Sequence, residues 1–173
     1  MKKVVFRLDC SQLIGSGHLM RCLTLARYFK KINYQSIFVV HEISRKFISN
    51  IIKREFSVIY LKTSDYSSNL KKFEKSIFNY KKNLYMNKES KEFLKIIKKI
   101  KNLDTIIVDH YGISKKWEKF LRVNSKIRLV VIDDFFDRPH YCDYLIDPTG
   151  HYTKQKSDEI KTILSGTRYT ILN

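Results

Sequence analysis

The chain has 173 residues, 43% hydrophobic and 29% charged, which suits a globular domain large enough to bury about 70% of its unfolded surface. Eleven Tyr and eleven Phe exclude a disordered chain, five Gly and two Pro exclude a collagen or flexible linker, and no apolar run approaches the ~18 residues of a membrane span. The net charge of +17 invites a nucleic-acid or membrane-surface reading, but 25 of the 34 basic residues are Lys, spread over pairs such as Lys71-Lys72, Lys81-Lys82, Lys98-Lys99 and Lys115-Lys116, which favours a solvated surface over a phosphate-binding one.

Strand and helix patterns alternate along the chain. Val4 to Phe6 reads as a first strand, leading into Arg7 and Asp9. The same stretch reads better as this strand than as a secretory leader, because Arg7 and Asp9 interrupt the apolar run. From His18 to Ile32, Leu19, Cys22, Leu23, Ala26 and Phe29 recur at helical spacing. Ser36 to Val40 reads as a second strand, and Ser44 as the cap of a helix reaching about Arg54. Ser57 to Leu61 reads as a third strand, and 64–85 as a Lys-rich helical insertion. Glu89 to Ile100 is an amphipathic helix with Phe93, Ile96, Ile97 and Ile100 on one side. Thr105 to Val108 is a short buried strand, and Ser114 caps a helix that turns Trp117, Phe120 and Leu121 inward. Leu129 to Ile132 and Tyr144 to Ile146 complete the strands, and the tail from about Gly150 holds one weak helix before Arg168 to Leu172 begins another strand or a linker.

Runs apolar on both faces belong to parallel strands covered by helices, so the expected fold is α/β, a Rossmann-like doubly wound sheet. Ligands in such sheets bind beyond the carboxyl ends of the strands. Polar residues gather there: Arg7, Asp9 and Gly15-Ser16-Gly17-His18 after the first strand, Asp109, His110 and Tyr111 after the strand at 105–108, and Asp133, Asp134, Arg138 and His140 after the strand at 129–132. These residues are expected to converge on one cleft, the alternative for His110 being a satisfied histidine in the core.

The Gly15-Ser16-Gly17 turn lacks the third glycine of a dinucleotide fingerprint, and no Gly-Lys-Ser/Thr phosphate loop is present. His18 opens a helix, where the positive end of the dipole favours the neutral imidazole that a general base requires. Arg21, three residues on, either orients a substrate or pairs with Asp9. Asp109, His110, Asp133, Asp134 and His140 have ligand chemistry, but adjacent strand residues point to opposite faces, so no metal is expected. Cys10, Cys22 and Cys142 are odd in number and lack C-x-x-C spacing, which fits a reducing cytoplasm and neither a disulfide framework nor a zinc site.

Three blocks carry a family resemblance. Phe6-Arg7-x-Asp9 followed by Ile14-Gly15-x-Gly17-His18-x-x-Arg21 and Leu25-Ala26 is the first, and Val108-Asp109-His110-Tyr111-Gly112-Ile113-Ser114 the second. The third is Ile132-Asp133-Asp134 with Arg138-Pro139-His140-Tyr141-Cys142-Asp143. Together, in this order, they resemble the UDP-2,4-diacetamido-2,4,6-trideoxy-β-L-altropyranose hydrolases of pseudaminic acid biosynthesis, related to spore-coat polysaccharide proteins. Gly166 to Leu172 resembles the family's interdomain stretch.

The resemblance implies the first domain of a glycosyltransferase-B-like pair. Residues 1–150 would form that Rossmann-like domain, and 151–173 a tail or linker towards a second, nucleotide-binding domain in cis or in trans. It implies metal-independent, inverting hydrolysis of a UDP-activated amino sugar, without a cofactor. His18 and Tyr111 map onto catalytic positions. Arg7, Asp9, Gly15, Ser16, Gly17, Arg21, Asp109, His110, Asp133 and Asp134 are expected on the substrate side. The Asp147-Pro148-Thr149-Gly150 loop departs from the Asn-containing loop of many members. A non-catalytic binding domain needing a partner chain is the alternative, and a basic nucleic-acid-binding protein the third reading.

Overall fold

Val, Ile, Leu and Phe alternate between two apolar faces along the inner strands of a seven-stranded sheet, the double burial expected of parallel strands. The computed structural model describes residues 1–10, 15–41, 45–48, 55–62, 86–135, 138–151 and 159–171. The strands are β1 (Lys2–Leu8), β2 (Tyr34–His41), β3 (Ser57–Leu61), β4 (Leu103–Asp109), β5 (Arg128–Ile132), β6 (Cys142–Asp147) and β7 (Ile160–Ser165). Every pairing is parallel, in the order β3-β2-β1-β4-β5-β6-β7. The helices are α1 (Gly17–Lys31), α2 (Arg45–Ile48), α3 (Met86–Lys98) and α4 (Lys115–Asn124), and a 3₁₀ turn spans Thr167–Tyr169.

Val5, Val39, Ile106, Val108 and Val131 face α3 and α4, where Phe93, Ile97, Trp117 and Leu121 are buried. The Phe93 and Trp117 rings sit 5.0 Å apart. Val4, Phe6, Leu8, Phe38 and Ile107 face the other way, against Leu19, Cys22, Leu23 and Ala26 of α1. Asn33 and Asn102 take positive φ at 63° and 60°, and so turn α1 into β2 and lead the chain into β4. Between β1 and β4 the register shifts by one residue: Lys3 faces Leu103, but Val4 faces Thr105, leaving Asp104 as the extra residue.

The Rossmann-like α/β sheet expected from the sequence is the one observed. Two local expectations are corrected. Ser114 precedes α4 in extended conformation but makes no side-chain cap hydrogen bond. In the tail, Arg168 opens no strand, since 167–169 is the 3₁₀ turn; the strand there is β7, at 160–165, and the weak helix expected earlier in the tail falls in part on 152–158, outside the described residues. Ile160 and Ile163 pack against the α3 and α4 side of the core, because β6 presents an edge that β7 can pair. The insertion at 64–85, Ser44 and residues 49–54 lie outside the described residues.

The departing loop after β6 is organised by Asp147. Its Oδ1 accepts the N–H groups of Thr149 and Gly150, and its Oδ2 accepts the Ser165 hydroxyl at 2.7 Å. Gly150, at φ +83°, lies so close to Gly166 that an added Cβ would meet the Gly166 Cα at 3.6 Å.

Candidate active site

The strand order reverses between β1 and β4: from β1 the chain proceeds to β2 on one side, and from β4 to β5 on the other. A crevice at the carboxyl ends of such strands is the ligand site of doubly wound sheets. Gly15, at φ +82°, makes the turn before α1, a conformation that glycine adopts without strain. Ser16 and Gly17 follow, both exposed. A Cβ on Gly17 would meet nothing within 4 Å, so the fold itself does not require glycine there.

His18 lies in the first turn of α1 and is 3% exposed. Its Nδ1 stands 2.6 Å from Asp109 Oδ1. A carboxylate only accepts, so Nδ1 carries a proton, and in the neutral imidazole Nε2 keeps its lone pair. Among the described residues Nε2 makes no hydrogen bond. The Tyr111 ring meets the imidazole edge-on at 4.3 Å between centroids. Arg21, one turn on, donates from Nε and Nη2 to Asp109 at 2.8 and 2.7 Å, and from Nη1 and Nη2 to Asp134 at 2.9 and 3.1 Å. Its pairing choice is therefore Asp109 and Asp134, not Asp9.

Burial works to raise the Asp109 carboxyl, but His18 and Arg21 outweigh it and hold the group below the ordinary carboxylate range. Burial, then Asp134 and Asp109, push the Tyr111 phenol up to about 12, so Tyr111 is a neutral donor near pH 7. Cys22, 3.8 Å from Asp109, has its thiol pushed well up by burial and by that carboxylate, which leaves it unreactive.

The expected residues divide between the two faces of the sheet, which corrects the expectation of a single cleft. Asp109 turns towards α1, and its neighbour His110 turns the other way, as strand alternation dictates. Under α3, Arg7 donates to Glu89 at 2.9 Å and to Asp9 at 3.1 Å, and all three are buried. Asp9 also accepts the His41 backbone N–H at 2.8 Å and the His110 Nε2 proton at 3.0 Å. The Gly112 N–H donates to His110 Nδ1 at 3.0 Å, which fixes the tautomer and the path of the loop carrying Tyr111. His110 is the satisfied core histidine that was the alternative reading. Burial opposes the Arg7 cation, but Asp9 and Glu89 more than compensate and raise its pKa.

Asp133 forms a third group. It is buried, accepts from Arg138 at 3.1 Å, and lies 3.2 Å from His140 Nε2; His140 Nδ1 lies 2.7 Å from the buried Glu118. Burial would lower the His140 pKa, but the bonds to Asp133 and Glu118 raise it. Among the described residues no three His, Cys, Asp or Glu side chains are arranged to hold a metal ion. No described helix is long and apolar enough to cross a membrane.

Glu89, His41, Glu118 and Phe135 were not singled out from the sequence. Glu89 shares the α3 stripe of Phe93, Ile96 and Ile97, and a carboxylate on an apolar stripe signals a buried partner. His41 ends β2 on the same carboxyl edge as Asp9 and Asp109, where the strand-end rule applies equally.

These carboxylates predict an acid-sensitive fold. Asp9, Glu89, Asp109 and Asp133 all sit below their unfolded values, burial being outweighed by cationic and hydrogen-bonding neighbours. Their stabilisation is fully present above the unfolded values near ~4 and is lost as pH falls through the folded ones. His110, lowered mainly by burial, adds a loss that begins as pH falls past about 6.5; His140, raised, works in the opposite sense there. The melting midpoint should fall steeply below about pH 4. A midpoint unchanged from about pH 6 to about pH 3 would rule out this pairing scheme.

No family model matches the chain. The chain is 28% identical over 149 residues to the UDP-2,4-diacetamido-2,4,6-trideoxy-β-L-altropyranose hydrolase of Campylobacter jejuni, a match that takes in 86% of this chain and 42% of that protein. The resemblance carried by the three sequence blocks is thus borne out. In structure, the chain is similar to MurG of Acinetobacter baumannii, with a TM-score of 0.60 and 9% identity, over 95% of this chain and 45% of MurG. That likeness shows the fold alone, and supports the Rossmann-like, glycosyltransferase-B-type domain. The chain spans less than half the length of either relative.

Proposed function

We propose that this chain is the histidine-bearing domain of a cytoplasmic UDP-sugar hydrolase of surface-sugar biosynthesis, acting on a UDP-2,4-diacetamido-2,4,6-trideoxyhexose. The observation that carries it is His18, fixed through Nδ1 by the buried Asp109 beside the neutral phenol of Tyr111, at the reversal point of the sheet. In this reading Nε2 accepts a proton from water as the water oxygen bonds to the anomeric carbon. The bond from that carbon to the diphosphate oxygen breaks, UDP leaves with the electron pair, and configuration inverts. Asp109 stabilises the imidazolium, and Arg21 holds Asp109 in place from the far side. Gly15, Ser16 and Gly17 leave room and backbone N–H groups for the substrate.

Arg7, Asp9, His110 and Asp133 act from beneath, by holding the loops that bear Tyr111 and Asp134. A second domain, in cis or in trans, supplies the uridine diphosphate contacts. No metal or cofactor enters the reaction. The whole protein should release UDP from UDP-2,4-diacetamido-2,4,6-trideoxy-β-L-altropyranose with undiminished rate in EDTA, and the 173-residue chain alone should show little turnover. Loss of turnover in EDTA overturns the metal-free mechanism. Sugar binding without UDP release by the whole protein would instead favour a non-catalytic binding domain.

A further inference from the structure

The geometry points to Phe135 as a specificity residue of this site, an aromatic wall for the deoxygenated, acetamido-bearing face of the sugar. Phe135 is 55% exposed, one of the few large apolar side chains left on the surface among the described residues. Its ring meets Tyr111 edge-on at 4.7 Å between centroids, and Tyr111 in turn meets His18 at 4.3 Å. The three rings form a continuous strip that ends at the base. The strip is braced at its outer end: the Phe135 N–H reaches Asp133 Oδ1 at 3.4 Å, Asp133 is held by Arg138, and the preceding Asp134 is held by Arg21.

A phenylalanine presented to solvent beside a fixed imidazole suits a ligand with an apolar face. A hexose that carries a 6-methyl and a 4-acetamido group offers one; a hexose that keeps its 4- and 6-hydroxyls offers less. This inference rests on the hydrolase reading. It adds a residue that the three sequence blocks do not contain.

The test uses the whole protein with UDP-2,4-diacetamido-2,4,6-trideoxy-β-L-altropyranose as substrate and UDP-N-acetylglucosamine as a competing ligand. Phe135→Ala should raise KM for the deoxy substrate about tenfold with kcat little changed, while the inhibition constant of UDP-N-acetylglucosamine shifts less than about twofold. Phe135→Tyr should keep the wild-type KM. An unchanged KM in Phe135→Ala, or equal weakening of both ligands, overturns the inference and leaves the hydrolase reading standing. A lowered melting midpoint with unchanged KM overturns it too, and assigns Phe135 to a contact with another domain. Absence of turnover by the wild-type protein overturns the hydrolase reading and this inference together.

Discussion

Replacing His18 with Ala should lower kcat of the whole protein by about 10²–10⁴-fold, the loss typical of a missing general base. KM should move little, because the imidazole acts on water rather than on the sugar. The protein should still fold: Asp109 loses one donor but keeps two from Arg21. His18→Asn preserves a polar side chain but accepts no proton near pH 7, so it should be nearly as inactive. Steady-state release of UDP measures both. Full activity in His18→Ala would remove His18 as the base. Tyr111 is a poor substitute, since its phenol stays protonated until about pH 12. The tautomer argument can be tested separately: Asp109→Asn offers Nδ1 an amide that can donate, which allows the proton to sit on Nε2 and should also depress kcat.

The second large effect is on stability. Asp9→Ala should cost about 3–5 kcal/mol, the range for breaking a buried ion pair by removing one partner. The reason is arithmetic on donors. Asp9 accepts from the Arg7 guanidinium, the His41 backbone and the His110 ring, and all of these are buried. Arg7 keeps Glu89, but the His41 backbone N–H and the His110 ring lose the Asp9 carboxylate. Urea titration monitored by circular dichroism measures the change. A loss below about 1 kcal/mol would mean that water or a shifted Glu89 replaces the carboxylate, and the network would then matter less than its burial suggests. Asp9→Asn, which still accepts hydrogen bonds, should fall between the two.

Much of the fold was legible in the sequence because burial on both faces leaves dense apolar runs. Val4 to Phe6, Ser36 to Val40 and Leu129 to Ile132 each lie within an observed strand. The tail was legible only in part, because what makes 160–165 a strand is the open side of β6, a tertiary fact. The site was legible to the level of which strand ends matter, since His18, Arg21, Asp109, Tyr111 and Asp134 do meet. The division into two faces was less so. Alternation along a strand says that Asp109 and His110 part company, but not which of them joins Asp9. That choice depends on how β4 is aligned with β1, and local sequence does not encode it.

The extra residue at Asp104 makes that alignment. With Lys3 opposite Leu103 and Val4 opposite Thr105, Leu8 comes to lie beside Asp109 on the α1 face. Were the pairing to run on from Lys3 without the offset, Asp9 would sit opposite Asp109, and two carboxylates would share the Arg7 cation while His110 swung towards Arg21. One residue near the start of β4, held by Lys2 at 2.9 Å and by Thr105 at 2.8 Å, thereby sets the parity of everything downstream on that strand. The chemistry at the carboxyl edge is addressed from the opposite end of the sheet. A single-residue deletion there, on the exposed amino side and touching no substrate, would exchange the acid that orients the imidazole for the histidine that belongs in the core.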